Sequence, residues 1–390
     1  MANKAHNIRD KERRRNRKEK KKAKKEAKER ARRAANSPPP LTDSPPIHHH
    51  SPPPQLAAPP SLPPSPLPLR IGDAIPLLDD LLKEIGQPRV IGWDSLDQLL
   101  IRSLEVMVGG ANGSVFKGVL GGVDVVLKVV VVSETKTEMF GPIPDLAFVR
   151  NELLILNYIK NNQSMLCNPG IVGVIDIKLV RGNLPGVMRA PMPGKADDQL
   201  FFVSITRHQG TPLTHFKIAS LQQFKAIIGQ VLVTLGMLER DIRFEHRDMH
   251  NNNILVEETG ARSIEYGIGM VASGGIKVSV IDFTYSRATI GGRQIYLDLA
   301  SHRGLFTPDA TEPLHMARNE MVRRSGGRWA EYSDGGNAVW VQNIGQRMLI
   351  NSGHLSRLTR YFMQRWLNKL VAKETVPQML DLYKNDFFKR

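Results

Sequence analysis

The chain has 390 residues, enough for one large domain or two ordinary ones, and a formal net charge of +16. Its single cysteine, Cys167, excludes an internal disulfide framework and suits a reducing compartment, cytosol or nucleus. No apolar run approaches the roughly 18 residues of a membrane span and no apolar signal core follows the basic start, so the sequence reads as soluble and intracellular, with no membrane partner.

The charge is unevenly spread. Residues 1–70 hold 18 of the 54 Lys and Arg but only 6 of the 38 Asp and Glu, which leaves the remainder nearly balanced. The run DKERRRNRKEKKKAKKEAKERARR, residues 10–33, contains helix formers without an apolar face, the pattern of a solvated, partly helical or disordered arm. Lys and Arg also neutralise phosphates and release counterions, so the same run suits nuclear import or attraction to chromatin or nucleic acid. No aromatic residue occurs in 1–70, so such attraction would be sequence-blind and salt-sensitive. Residues 37–70 contain 14 prolines and read as an extended linker, with Ser-Pro dipeptides at Ser37, Ser44, Ser51 and Ser65. The triplet His48-His49-His50 has no partner ligands around it and reads as low complexity. The expected organisation is a disordered basic tail over 1–36, a Pro-rich linker over 37–70 and one folded unit over 71–390.

Within that unit, IPLLDDLLKEI and WDSLDQLLIRSLEVM carry apolar residues at helical spacing. VDVVLKVVVV, residues 123–132, is an apolar, β-branched strand. DLAFVRNELLILNYIKN, starting at Asp145, and SLQQFKAIIGQVLVTLGMLERDI, residues 220–242, are helical patterns; VSVIDF, residues 278–283, is a short buried strand. A last group of helical patterns fills the chain from Val339 to Arg390. Strands early and helices late predict a two-lobed α+β unit.

The residues that carry chemistry fall in an informative order. Gly109, Gly110 and Gly113 in VGGANGSVF precede the strand; alone they fit a hairpin turn as well as a phosphate-binding loop. Lys128 stands inside the apolar strand, a costly place for a cation without a partner. Glu152 follows on the next helix, where it either faces solvent or reaches back to Lys128. HRDMHNNNIL then places Asp248 and Asn253 five residues apart in one loop, a carboxylate beside an amide. Asp282 emerges from the strand VSVI, a setting that suits magnesium. Phosphoryl transfer from ATP needs these parts: a glycine loop over the phosphates, a lysine held by a carboxylate, a base for the attacking hydroxyl, and two metal ligands. Trp329 and Trp340 read as core of the helical part, and Cys167, with no basic neighbour, as an incidental thiol.

Several blocks depart from ordinary eukaryotic kinases. His250 stands where a catalytic-loop lysine is usual, the metal tripeptide is Asp282-Phe283-Thr284 with no glycine, and no Ala-Pro-Glu triplet follows. Together with HRDMHNNNIL, IDFTYSR, GLFTPD and RWAEYSDGGNAVW, these features resemble the haspin family of protein kinases over roughly residues 90 to 350. The resemblance implies a protein-kinase-like fold with a β-rich first lobe and a helical second lobe, using ATP and Mg²⁺. It implies a nuclear, chromatin-associated serine/threonine kinase, with a cytoplasmic pool as a further location. Its acceptor would be a threonine near the N-terminus of histone H3 or another basic protein, and its activation segment would not await phosphorylation. On this resemblance Asp248 is the base and Lys128 and Glu152 the ATP-clamping pair. Asn253 and Asp282 are the metal ligands. Val108, Gly109, Gly110, Gly113, Val115, Phe283 and Thr284 border the nucleotide, Thr206 is the gatekeeper, and Arg207, His208, Gln209 and Gly210 line the adenine site. His250, Asp309 and Glu312 face the substrate. The chain departs from the family at Val108, which replaces the first loop glycine, at Arg207 and His208 in the hinge, and at Thr311 and His315, where acidic residues are expected. Val108 and the hinge keep a pseudokinase scaffold open, and the His-x-Asp…Asn loop with a histidine after the aspartate, which aminoglycoside and choline kinases also carry, keeps a small-molecule phosphotransferase open.

Overall fold

The structure, a computed structural model, describes residues 74–109, 113–134, 143–192, 198–301, 305–306 and 312–387. The basic tail and the Pro-rich linker therefore lie outside the described residues. The first described element is helix α1 (Ala74–Glu84), followed by strand β1 (Ile91–Gly92), helix α2 (Gln98–Arg102) and strands β2 (Glu105–Val108), β3 (Gly113–Leu120) and β4 (Val123–Val132). Helix α3 (Leu146–Leu166) leads to β5 (Val174–Arg181), the short α4 (Gly186–Arg189) and β6 (Leu200–Arg207). The strands form one six-stranded sheet in the order β1-β5-β6-β4-β3-β2.

The alternation of β4 sets the first lobe. Val125, Leu127, Val129 and Val131 are fully buried on one face, where they meet Leu100 and Ile101 of α2 and Phe201, Val203 and Ile205 of β6. Successive strand side chains point to opposite faces, so Lys128 lies on the other face, the one α3 covers. Its sequence-predicted strand boundaries, 123–132, coincide with β4. The segment WDSLDQLLIRSLEVM does not form the single helix its spacing predicts. Asp97 accepts hydrogen bonds from the Leu99 and Leu100 amides and starts α2 only there; the helix ends at Ser103, and Glu105–Val108 becomes an exposed edge strand paired with β3.

Beyond the hinge at 208–210, β7 (Thr211–Pro212) pairs with β8 (Ile254–Glu258), which pairs with β11 (Ile276–Val280). Two hairpins, β9 (Ser263–Tyr266) with β10 (Gly269–Ala272) and β12 (Ala288–Ile290) with β13 (Arg293–Ile295), escape the sequence reading. The second lobe is built round α5 (Leu221–Ile242), capped by the Ser220 hydroxyl on the Gln223 amide. At 22 residues α5 is long and apolar enough to cross a membrane by length and composition, which corrects the sequence reading; most of it is buried here, as in the core helix of a folded lobe. Around it pack α6 (Pro313–Ser325), α7 (Gly336–Ile350), α8 (Arg357–Val371) and α9 (Val376–Phe387). Trp340 and Trp329 are buried in this core, as the sequence predicts. Gly210 closes the hinge at φ +94°, with the Val256 carbonyl oxygen 2.1 Å from where a Cβ would stand, so only glycine fits.

Candidate active site

Lys128 of β4, Glu152 of α3 and Asp282, just after β11, come together. Lys128 Nζ donates to both carboxylate oxygens of Glu152, at 2.8 and 2.9 Å, and lies 3.4 Å from Asp282 Oδ1. Glu152 is buried, so it is not a solvent-facing helix carboxylate; it is the partner that the lysine in an apolar strand requires. Burial alone would lower the Lys128 pKa, but the charges of Asp282 and Glu152 outweigh it and keep the ammonium firmly protonated. Desolvation pushes Asp282 up, yet Lys128 and the Thr284 hydrogen bonds overcome it and hold the carboxyl at about 2. Glu152 is pushed up by burial and by Asp282, against the pull of Lys128 and Thr284.

Thr284, in the third position of the tripeptide, joins this cluster directly. Its hydroxyl lies 2.7 Å from Asp282 Oδ1 and 2.9 Å from Glu152 Oε2, and one hydroxyl proton is shared between the two acceptors. Neighbouring Asn151 donates through Nδ2 to the carbonyls of Thr284 and Ser286, at 2.9 and 2.6 Å. Consecutive residues of α3 thus grip both the side chain and the backbone of the segment that carries Asp282. Asp282 itself sits at φ +65°, a left-handed conformation that the surrounding bonds maintain. Phe283 is fully buried against Phe244 and His246. Burial lowers the His246 pKa, and its Nε2 hydrogen-bonds the Ile281 carbonyl at 3.0 Å.

The catalytic-loop candidate is held from below. Arg247 donates through Nε and Nη2 to Glu245 Oε2, at 2.8 and 2.5 Å, and through Nη1 to the Trp329 carbonyl at 2.7 Å. Glu245 and Arg287 exchange backbone hydrogen bonds, and Arg287 donates to the Ala330 and Arg243 carbonyls. The motifs HRD, TYSR and RWAEY, far apart in sequence, are therefore one packed unit. Asp248 is presented above it. Asn253 donates through Nδ2 to the Asp248 carbonyl at 2.9 Å, and the Ile281 amide donates to the Asn253 carbonyl at 3.0 Å. With its amide nitrogen tied down, Asn253 keeps its side-chain oxygen as a donor atom close to the end of β11, from which Asp282 emerges. An ionised carboxylate and an amide oxygen are the hard ligands a magnesium-like cation takes, so this pair fits such an ion.

The remaining sequence-predicted residues fall as follows. Val108 ends β2, exposed and paired with Val115, and Gly109 follows it; Gly113 opens β3, while Gly110 lies outside the described residues. Thr206 pairs with Val126, two positions from the pair Ser204–Lys128, which places it on the Lys128 face. Arg207 and Gln209 line a different cavity together with Cys167 and Lys277, and that cavity includes none of Lys128, Glu152, Asp248 or Asp282. The His208 amide donates to the Asp124 carbonyl. His250 Nε2 is 3.7 Å from Asp248 Oδ2. Asp309 lies outside the described residues. Glu312 caps α6 through the Leu314 and His315 amides and also binds Arg347, so both its oxygens are engaged within the chain. Two contributors escape the sequence reading: Asn151 offers no signal in sequence, and Arg318 donates to Asp248 Oδ1 through Nη2 at 2.8 Å and Nε at 3.3 Å.

A six-stranded sheet over a helical lobe, with lysine, glutamate and aspartate converging and an Asp–Asn loop beneath, defines a protein-kinase-like fold. Comparison with known proteins narrows this. The family profile described as Haspin like kinase domain matches residues 112–390, and the chain belongs to that family. Among curated relatives, it is 23% identical over 278 residues to serine/threonine-protein kinase haspin of Bos taurus, covering 66% of this chain and 36% of the relative. It is 27% identical over 248 residues to the haspin homolog of Drosophila melanogaster, covering 57% and 42%. It is 26% identical over 157 residues to the Arabidopsis thaliana homolog, covering 38% and 26%. The chain thus matches less than half the length of these relatives.

Proposed function

We propose that this protein is an ATP-dependent serine/threonine protein kinase of haspin type. The observation that carries the reading is the convergence of Lys128, Glu152 and Asp282 within hydrogen-bonding reach, with Asp248 and Asn253 in one loop below. Lys128, kept charged and fixed by Glu152, presents an ammonium to the nucleotide phosphates. Asn253 and Asp282 would hold Mg²⁺, which supplies charge neutralisation to those phosphates. Asp248 accepts the proton of the acceptor hydroxyl. Arg247 is fully engaged by Glu245 and two carbonyls, which supports a loop that stands ready without an activating phosphate. The acceptor we propose is a threonine near the N-terminus of histone H3, a reading that rests on family membership. We also propose a nuclear location, and chromatin attraction through the Lys and Arg run of residues 10–33.

The test is transfer of labelled phosphate from ATP and Mg²⁺ to an N-terminal histone H3 peptide, with a generic basic protein beside it. Asp248→Ala should abolish transfer and leave nucleotide binding intact, because the base acts only on the acceptor hydroxyl. Undiminished transfer in that variant would remove Asp248 from the mechanism. Transfer to the generic protein alone would keep the kinase and discard the histone acceptor.

A further inference from the structure

We infer that Arg318 of α6 is the positioning residue for Asp248, supplying from a distant helix the cation that the catalytic loop itself lacks; this rests on the kinase reading above. In that loop His250 occupies the place where a lysine is usual, and its Nε2 stands 3.7 Å from Asp248 Oδ2, too far for a hydrogen bond. Arg318 reaches the other oxygen, Oδ1, through Nη2 at 2.8 Å and Nε at 3.3 Å. Both side chains are largely buried, with 14% and 12% exposure, so the contact is not a screened surface pair. The other cations of α6 point elsewhere: Arg323 and Arg324 bind Glu320, and Arg324 also binds the Gly335 and Glu374 carbonyls.

The geometry divides the carboxylate between two tasks. Oδ1 is fixed by a planar guanidinium, which sets the rotation of the carboxyl group far more tightly than a single ammonium would. Oδ2 makes no hydrogen bond among the described residues and is left to receive a proton. In transfer the acceptor hydroxyl oxygen bonds to the γ-phosphorus and its proton passes to Oδ2. The bond from that phosphorus to the β,γ-bridging oxygen breaks, and its electron pair leaves on ADP. Arg318 acts on this step only through the carboxylate it aims. It also has the reach to do so because α6 is fixed at its start: Pro313 is the first helical residue, and Glu312 caps the helix while bound to Arg347.

The test uses the full chain, with Arg318→Ala and Arg318→Lys compared with the parent on the same histone H3 peptide and generic basic protein. Misaiming the base should lower kcat of Arg318→Ala about 100-fold, with KM for ATP near the parental value and the rate loss larger than any loss of folded protein read from the thermal midpoint. Arg318→Lys, with one donor in place of the fork, should fall between. Added guanidinium should restore the Arg318→Ala rate saturably, a response that a merely structural pin would not give. An unchanged kcat would overturn the inference, as would a raised one, which would make Arg318 a plug over the base. A loss that tracks lowered thermal stability without guanidinium rescue would overturn it too. Should Arg318→Ala fold poorly, Arg318→Lys decides alone: parental kcat overturns the inference, and reduced kcat at parental KM supports it. A parent inactive on both acceptors would instead overturn the kinase reading itself, and this inference with it.

Discussion

Replacing Glu245 by glutamine probes the foundation of the proposed catalytic loop with almost no change of shape. Arg247 and Glu245 are 1% and 3% exposed, so the pair is shielded from solvent. Glu245 Oε2 takes two donors from Arg247, and Oε1 takes the Ser333 amide at 2.6 Å. Every donor in this pocket faces the carboxylate. A glutamine brings an NH₂ group that must meet either Arg247 or the Ser333 amide donor to donor, and it leaves the guanidinium charge buried without a counter-ion. Breaking a buried pair from one side typically costs about 3–5 kcal/mol. Removing the cation as well should cost less than the two single changes added together. In Glu245→Gln with Arg247→Met the buried charge is gone, and what remains lost is the Arg247 bonds to the Trp329 and Glu331 carbonyls. The shortfall from additivity should reach about 2–3 kcal/mol, the upper range for contacting residues. Urea unfolding followed by circular dichroism, with unchanged m-values as the check on two-state behaviour, measures all four corners of the cycle. A Glu245→Gln variant within about 1 kcal/mol of the parent, below the usual cost of an unpaired buried charge, would refute the argument.

Two further outcomes follow from the same geometry. Thr284→Val keeps the side-chain volume but removes the proton shared by Asp282 and Glu152; losing a hydrogen bond to a charged group, about 1.5–3 kcal/mol, should lower kcat/KM for ATP about 10–100-fold, while Thr284→Ser retains it. Parental kinetics in the valine variant would show that the shared proton is idle. Glu239, buried in α5 and hydrogen-bonded by Asn337, has its pKa pushed to about 7 by burial, with Glu245 adding to the rise. Its folded value lies above the unfolded one, so its stability contribution is complete below about pH 4.5 and falls as pH climbs to about 7, by about 3 kcal/mol in all. Glu239→Gln should flatten that slope and raise the thermal midpoint at pH 8 relative to the parent; parallel pH profiles would exclude the effect.

The legible part of this site is the part where chemistry dictates residue type. A lysine inside VVLKVVVV needs a counter-charge wherever the chain folds, and β4 supplies the regular alternation that makes its position readable. Asp282 is readable because it ends a short apolar strand, and Asp248 with Asn253 because one loop must offer both. Arg318 was not readable. It stands 70 residues from Asp248 and, beside Arg323 and Arg324, looks like any other cation on a solvated helix. Only the packing of α6 against the loop distinguishes it. The segment 93–107 misled for a different reason. Leu96, Leu99, Leu100 and Leu104 recur at helical intervals, but Asp97 caps a helix in mid-pattern, and β2 is exposed along its length, so no alternation marks it as a strand.

The fate of the charged residues around Asp248 explains how the loop tolerates its unusual composition. Arg247, the cation nearest in sequence, is consumed by the fold: its donors are spent on Glu245 and on the carbonyls of Trp329 and Glu331. His250 stands back from the carboxylate. The charge that steadies Asp248 must then come from outside the loop, and a helix can deliver it only if its own start is immobile. Glu312 meets that need. As a bare sequence position it suggested an acid facing a basic substrate; in the structure it fixes the first turn of α6 through two amides and Arg347, one and a half turns before Arg318. A carboxylate with both oxygens engaged has little capacity left for a peptide cation. On the proposed histone acceptor, the acidic character of the peptide groove would have to come from residues other than Glu312, so the peptide contacts, more than the phosphoryl-transfer step, are where that proposal is decided.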